Sequence, residues 1–435
     1  MAASVGAKRS FLFLQGLATP FWTRLGDAIA ERGHAVHRIN VSGGDRLFWR
    51  RPGAVDYRGK FANWRNFLGT FLHDQSVTDI VLFGDCRPYH RVALDLARSR
   101  GIATHIFEEG YFRPDWITLE RSGTNAFSSL PRTAEAIYAA DEAIKNESPA
   151  ATVSGGVALR VRLEIANQIA TMALAPFYPH YRRHRPRHPL VEMCGWLNRL
   201  ARRPSERRYA ENLSQYLGET RPSYFLLPLQ LDADYQIRSH SPFSSMAEVM
   251  RSVLESFARS APRESLLVVK VHPLDNGLVN YRKLADEMAA PLGLGDRVKI
   301  IDGGHLPTLL SGCEGVIVVN STTALSALHH QRPVAVLGNA IFNLPGLVFQ
   351  GPLDAFWQKK TEPDRALFAA FRRVVLAGAQ INGSFFTEAG IELAIQGTLD
   401  RLRAAPVPQP VLAQPKAELP APALAAGKAP ALIRR

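Results

Sequence analysis

The strongest constraint on this chain is a rhythm. Short apolar runs end in polar loops, the loops open amphipathic helices, and the helices lead into the next apolar run. Residues 9–14, 35–40, 79–83 and 102–107 read as strands, with helices over 22–32 and 91–100 stopped by Gly33 and Gly101. A second series follows, with strands over 223–229, 265–271, 298–301, 315–319 and 333–337 and helices over 245–261, 281–292, 307–311 and 323–330. Parallel neighbours need a crossover, which a helix supplies, so the alternation predicts an α/β fold with parallel, doubly wound sheets. The intervening stretch, 134–218, reads as helical. The expected organisation is an N-terminal Rossmann-like domain over 1–175, a basic helical connector over 176–218 and a C-terminal Rossmann-like domain over 219–403. Residues 404–435 are rich in Pro and Ala, cannot build a core, and are expected to be disordered.

Two Rossmann-like domains facing a cleft make a GT-B-like architecture; two unrelated α/β domains would give the same rhythm. A chain of 435 residues suits two domains, and 46% hydrophobic with 21% charged residues is a globular composition. No apolar run reaches bilayer length, and the basic N-terminus leads straight into a strand rather than an export signal. Three cysteines, Cys86, Cys194 and Cys313, cannot all pair and lack metal-type spacing, which fits a reducing cytoplasm. The net charge of +13 favours an anionic partner. Nine arginines against two glutamates lie between Arg182 and Arg208, either a solvated connector or a patch for a membrane surface. No nucleic-acid motif accompanies them, and no nucleic-acid partner is expected.

Several strand ends carry chemistry. Glu108 and Glu109 close the 102–107 strand, where adjacent carboxylates repel and one can serve as a base; alternation points one of them into the cleft. Lys270, His272 and Pro273 end another strand, and a histidine there can steady a departing phosphate. Asn320-Ser321-Thr322-Thr323 offers hydroxyls and free N–H groups at a helix start, a ready anion site. Asp85 and Arg87, in Gly84-Asp85-Cys86-Arg87-Pro88-Tyr89-His90, suit a polyhydroxylated or anionic ligand. The segment from Leu229 to Phe243 is the densest in polar groups, with Gln230, Asp232 and Asp234; a carboxylate here can attack an anomeric carbon. Asp-x-Asp also suits a metal, but no further ligand cluster supports one, and no cofactor is expected. Each segment has an ordinary alternative: a solvated loop, a salt-bridged turn, a plain N-cap. No dinucleotide fingerprint, P-loop or nucleophile elbow is present.

Together these segments resemble the capsule polysaccharide biosynthesis family of Gram-negative bacteria, in particular the Kdo transferases that start the capsule lipid linker. The resemblance rests on Phe-Leu-Gln-Gly at 13–16, Gly-Asp-Cys-Arg at 84–87, Phe-Glu-Glu-Gly-Tyr at 107–111 and Arg-Pro-Asp-Trp-Ile-Thr-Leu-Glu at 113–120. It continues through Ser-His-Ser-Pro-Phe at 239–243, Lys-Val-His-Pro-Leu-Asp at 270–275, Asn-Ser-Thr-Thr at 320–323, Leu-Gly-Asn-Ala at 337–340 and Gln-Ile-Asn-Gly-Ser at 380–384. It implies a β-Kdo transferase that takes Kdo from CMP-Kdo to phosphatidylglycerol, retaining through an Asp-linked intermediate and without a metal. Asp234 is then the nucleophile, with Asp232 second. Gln230, Lys270, His272, Pro273, Asn320, Ser321 and Thr322 hold the donor, and Glu108 or Glu109 is the base. Gln15, Gly16, Asp85, Arg87 and Arg113 bind substrate on the N-terminal side. The implied partners are the inner-membrane surface, a companion Kdo transferase and a capsule ABC transporter. A transferase for another CMP-sugar such as CMP-sialic acid, or a non-catalytic export or scaffold protein, is the alternative.

Overall fold

The computed structural model describes residues 8–144, 150–153, 155–183, 189–231 and 241–403. The chain divides into two compact α/β units. The first begins with β1 (Ser10–Phe13), β2 (Ala35–Asn40), β3 (Ala54–Asp56), β4 (Asp79–Phe83), β5 (Ala103–Glu109) and β6 (Trp116–Glu120). The second carries β7 (Tyr224–Pro228), β8 (Leu266–Lys270), β9 (Val298–Ile301), β10 (Gly315–Val318) and β11 (Val334–Val336). The chain then returns through the helix Arg365–Ala379 to the first unit and adds β12 (Gln380–Asn382) and the helix Glu388–Arg403. The expected C-terminal domain over 219–403 therefore runs too far: residues 371–403 belong to the first unit. Ile381, Phe385, Ile391, Ile395, Leu399 and Leu402 are buried in its core and fix the return.

Both sheets repeat one strand order. In the first, β3-β2-β1-β4-β5 run parallel, and β6 and β12 extend the β5 edge antiparallel. In the second, β9-β8-β7-β10-β11 are all parallel. The first strand of each unit is thus central, and the chain winds outward from it in both directions. That reversal is a topological switch point, where open α/β sheets bind ligands beyond the carboxyl ends of the two strands. It falls between β1 and β4 in the first unit and between β7 and β10 in the second.

Every residue of β1 is buried, as a strand covered on both faces requires. Phe11 and Phe13 enter a cluster with Phe21, Trp22 and Phe107, while Leu12 and Leu14 join Trp64, Leu68 and Ala93 on the opposite face. In the second unit Phe225 and Leu227 pack on Val249, Val253 and Phe257 of the helix Met246–Ser260, and on Trp357. Each such side chain contributes roughly 1.5–3 kcal/mol on full burial.

The basic connector is not a free-standing link. Residues 176–183 belong to the first unit, and the helix Pro189–Thr220 belongs to the second. Its Ala210, Leu213 and Leu217 are buried. Among the described residues no helix is long and apolar enough to cross a membrane.

Candidate functional site

The first switch point gathers three of the residues expected from sequence. Gln15 and Gly16 leave β1, and Arg87 follows β4 across a turn in which Gly84 takes φ +74°, a left-handed conformation that favours glycine. Arg87 Nη1 donates to the Gly16 carbonyl at 3.2 Å and so ties the two loops together. Gln15 is buried, and its Nε2 donates to Asp45 Oδ2 at 3.3 Å and to the Tyr181 hydroxyl at 3.1 Å. Asp45 Oδ2 also accepts from the Val41 amide at 3.1 Å and the Ser42 hydroxyl at 3.0 Å, and Asp45 pairs with Arg38 at 3.4 Å. Arg38 is fully enclosed, which pushes its pKa down against the pull of Asp45. Burial pushes the Tyr181 phenol up to about 12, so it stays protonated at physiological pH.

Gln15, Gly16, Ser42, Asp45, Arg87 and Tyr181 line a pocket that opens to solvent, with Arg38 behind Asp45. Its other wall is the helix Val157–Ala173, through Glu164, Asn167 and Gln168, with Arg183 beyond it. The helix comes this close because Gly43 and Gly44 have no side chains. A Cβ on Gly43 would stand 2.3 Å from the Ala170 carbonyl oxygen, and one on Gly44 would stand 1.9 Å from Asn167 Oδ1. Amide, carboxylate and guanidinium groups on facing walls suit a polyhydroxylated or anionic ligand.

The carboxylate pair behaves as strand alternation requires. Glu109 pairs with Arg160 of the Val157–Ala173 helix at 2.9 Å. Glu108 turns toward the switch-point loop: its Oε2 lies 3.4 Å from the position of a Cβ on Gly84, with Arg87 Nε 4.0 Å from the same point. Glu108 is thus the one of the two that faces the switch-point loop, and neither lines the pocket.

Two expected binding residues do other work. Asp85 is buried, takes the Thr124 amide at 3.0 Å and hydroxyl at 3.4 Å, and accepts the Cys86 thiol at 3.1 Å. It fastens the loop after β4 to the turn after β6 and does not line the pocket. Arg113 is exposed and donates to the Gly110 carbonyl at 3.2 Å, also outside the pocket. The Gln-Ile-Asn segment at 380–382 is likewise architectural. Gln380 accepts from the Tyr111 amide at 2.8 Å and donates to Thr118 Oγ1 at 2.9 Å.

At the second switch point the partners are neutral. Gln230, after β7, donates through Nε2 to Asn320 Oδ1 at 2.8 Å, and its Oε1 accepts the Asn320 amide at 3.2 Å. Both are buried, so the two strand ends are joined by a reciprocal amide pair. Ser321 and Thr322 follow at the start of the helix Thr323–His329. The Ser321 hydroxyl accepts the Thr323 amide at 3.2 Å, a local turn that presents the backbone of this corner.

On the neighbouring strand, Lys270 and His272 part company. The buried Lys270 amine donates to the Gly303 carbonyl beyond β9, and burial lowers its pKa. The His272 Nδ1 accepts the Leu274 amide at 3.0 Å, so the neutral ring carries its proton on Nε2. A ring held this way can donate through Nε2. Asp232 and Asp234 lie outside the described residues.

One residue of this region was not anticipated. Arg199, on the Pro189–Thr220 helix, forks Asp302 at 2.6 and 3.0 Å. The same guanidinium donates to the carbonyls of His272 at 3.3 Å, of Pro273 at 3.0 Å, and of Asp275. It pins the turn that carries His272 to the end of β9. Beside it a pocket open to solvent is lined by Arg282, which pairs with Glu206 at 2.8 Å. No sequence signal links Arg199 to its partners, which lie 73 to 103 positions away. Asp45 is different: Ser42 three residues earlier marks it as part of a helix start.

Residues 78–386 match the family described as capsule polysaccharide biosynthesis protein. Among curated proteins, the capsule polysaccharide export protein KpsS of Escherichia coli is 33% identical over 386 residues, covering 87% of this chain and 97% of KpsS. The capsule polysaccharide modification protein LipB of Neisseria meningitidis is 33% identical over 390 residues, covering 87% of this chain and 92% of LipB. Among solved structures, KpsC of Thermosulfurimonas dismutans, titled as a beta Kdo 2,7 transferase, is 14% identical, with 91% of this chain and 100% of that chain covered and a TM-score of 0.44. By the extent of the family match and of these two relatives, the chain belongs to the capsule polysaccharide biosynthesis family.

Proposed function

We propose that the protein is a glycosyltransferase of capsule lipid-linker synthesis, moving Kdo from CMP-Kdo to phosphatidylglycerol. The observation that carries this reading is the second switch point: a buried Gln230–Asn320 pair beside a histidine whose proton sits on Nε2. An amide pair suits a pyrimidine nucleotide's polar edges, and His272 suits its phosphate. The donor is assigned to the second unit. The acceptor is assigned to the first, through Gln15, Gly16 and Arg87. In the first step a carboxylate, Asp234 or secondarily Asp232, bonds to the anomeric carbon. The bond from that carbon to the CMP phosphate oxygen breaks, and the electron pair leaves with the phosphate, where His272 meets it. In the second step the acceptor hydroxyl displaces the aspartate and gives its proton to Glu108. Two inversions give retention. A phosphate leaves without a strong general acid, so the roles assigned to these residues involve no metal.

The test is direct. Purified protein incubated with CMP-Kdo and phosphatidylglycerol should yield lipid heavier by one Kdo, and Asp234→Ala should abolish the product while CMP still raises the melting temperature. Full activity in Asp234→Ala would move the nucleophile to Asp232 or elsewhere. A second reading, a non-catalytic export protein, draws on the similarity to KpsS, the capsule polysaccharide export protein of Escherichia coli. It predicts no lipid product and no stabilisation by CMP. CMP-sialic acid in place of CMP-Kdo separates the two donor readings.

A further inference from the structure

We infer that the N-terminal half of the helix Pro189–Thr220 is an interfacial anchor that inserts an apolar face into an anionic lipid surface. The inner face of this helix is set by Gly195, where a Cβ would stand 2.5 Å from the Asn276 carbonyl oxygen, and by Arg199, Ala210, Leu213 and Leu217. The residues that interleave with these at helical spacing point outward. Met193 is 52% exposed, Trp196 42%, and Leu197 and Leu200 60% each. They recur at i, i+3, i+4 and i+7 and so form one stripe. On the following two turns Arg203, Arg207 and Arg208 are exposed, with Ala201, Pro204 and Ser205 between them. An apolar stripe that contains a tryptophan and runs into arginines is the composition of a helix lying in the headgroup region of a membrane.

The occupant follows from charge. Anionic headgroups complement the arginines and the chain's +13 net charge. A second copy of this chain would bring the same arginines against themselves across a two-fold axis. The first unit has its own exposed stripe, Val161, Ile165, Ile169 and Met172, but no run of exposed arginines continues it. The inference deepens the proposed reading, in which the acceptor is an anionic lipid. It also replaces a purely electrostatic contact with one that has an apolar, salt-resistant part.

The test is flotation of the full chain with vesicles of phosphatidylcholine alone or mixed with phosphatidylglycerol, at low and high salt. It needs no sugar donor, so it can fail or succeed independently of the transferase reading. The wild type should float with the anionic vesicles and keep a bound fraction at high salt. Leu197→Glu with Leu200→Glu should weaken binding roughly tenfold or more and remove the salt-resistant fraction. Arg203→Glu with Arg208→Glu should remove the preference for phosphatidylglycerol. Brominated lipid should quench fluorescence in the wild type and much less in Trp196→Phe, since Trp22, Trp49, Trp64 and Trp357 are buried and Trp116 is half-buried. Unchanged flotation of the leucine variant with unchanged melting temperature, or equal quenching in Trp196→Phe, would overturn the inference. So would a wild-type dimer that the leucine variant converts to monomer without any vesicle binding by either.

Discussion

The two units wind the same strand order around opposite electrostatic solutions. At the first switch point a buried ion pair, Arg38–Asp45, organises Gln15 and Tyr181, and Arg87 bridges the strand ends. At the second, the corresponding position between the central strands holds two neutral amides, Gln230 and Asn320, and the charges are displaced to the next strand and the helix behind it. Topology thus decides where a ligand can sit, and side chains decide what it must be. The charged pocket suits a ligand with hydroxyls or an anionic head. In the proposed reading, the neutral one leaves the donor's own charge to be met by His272.

The sharpest way to break this contrast is Arg38→Met. It leaves Asp45 buried without its partner, and the expected cost is about 3–5 kcal/mol of stability, read as a loss of melting temperature. A loss below about 1 kcal/mol would mean that the pair is not what organises the first pocket.

Acid offers the next largest effect, confined to the first unit. His90 is fully buried, donates to the Gly84 carbonyl at 2.7 Å, and is held at a pKa of about 3 by burial and then by Arg87. Below pH 6.5 the unfolded chain takes a proton there that the folded chain refuses. Stability contributed by this group is therefore complete above pH 6.5 and falls as pH drops toward 3, by up to about 1.4 kcal/mol per pH unit. His90→Gln should flatten the melting temperature between pH 6.5 and 4.5; an unchanged slope would assign the acid sensitivity to other groups.

Gln230→Ala leaves the buried Asn320 without its reciprocal partner, at a cost of about 1–2 kcal/mol, and should weaken CMP binding while leaving the first pocket intact. Equal CMP affinity measured by calorimetry would detach the nucleotide from this switch point. The smallest effect is expected from Arg199→Lys. An ammonium keeps the charge but cannot fork Asp302 while also meeting the carbonyls of His272 and Pro273, so the His272 turn loosens. Donor KM should rise by about five-fold, or about 1 kcal/mol, with little change in melting temperature. A change in melting temperature with KM untouched would make the contact purely structural.

Much of this was legible in sequence, for a physical reason. The central strands are continuous apolar runs, and Val298–Ile301 in β9 and Asp79–Phe83 in β4 lie where the runs predict. Their polar ends then identify Gln15, Gly16, Arg87, Gln230 and Asn320 as switch-point residues, because the winding order places them there. What escaped were elements whose pattern is too short or too mixed. β3 and β12 have three residues each, β6 is hidden inside a polar motif, and the helix Trp64–Asp74 follows no apolar landmark. Asp85 looked like a ligand because an acid beside an arginine reads the same whether it faces a pocket or a Thr124 amide. Arg38 and Arg199 escaped because the groups they hold are brought to them only by the completed fold.

The return of the chain after Ala370 has a consequence for the order in which the molecule can be made. Residues 371–403 supply β12 and the helix that lies against Phe21–Ala30, so the first unit to leave the ribosome is the last to be finished. Until those residues emerge, the face of the first sheet that will bury Phe385, Ile391 and Ile395 stands open. The second unit, continuous in sequence from its long helix to Ala370, can close meanwhile. A nascent chain stalled anywhere in the second unit therefore exposes an unfinished first one, and it is there that a chaperone would find its grip.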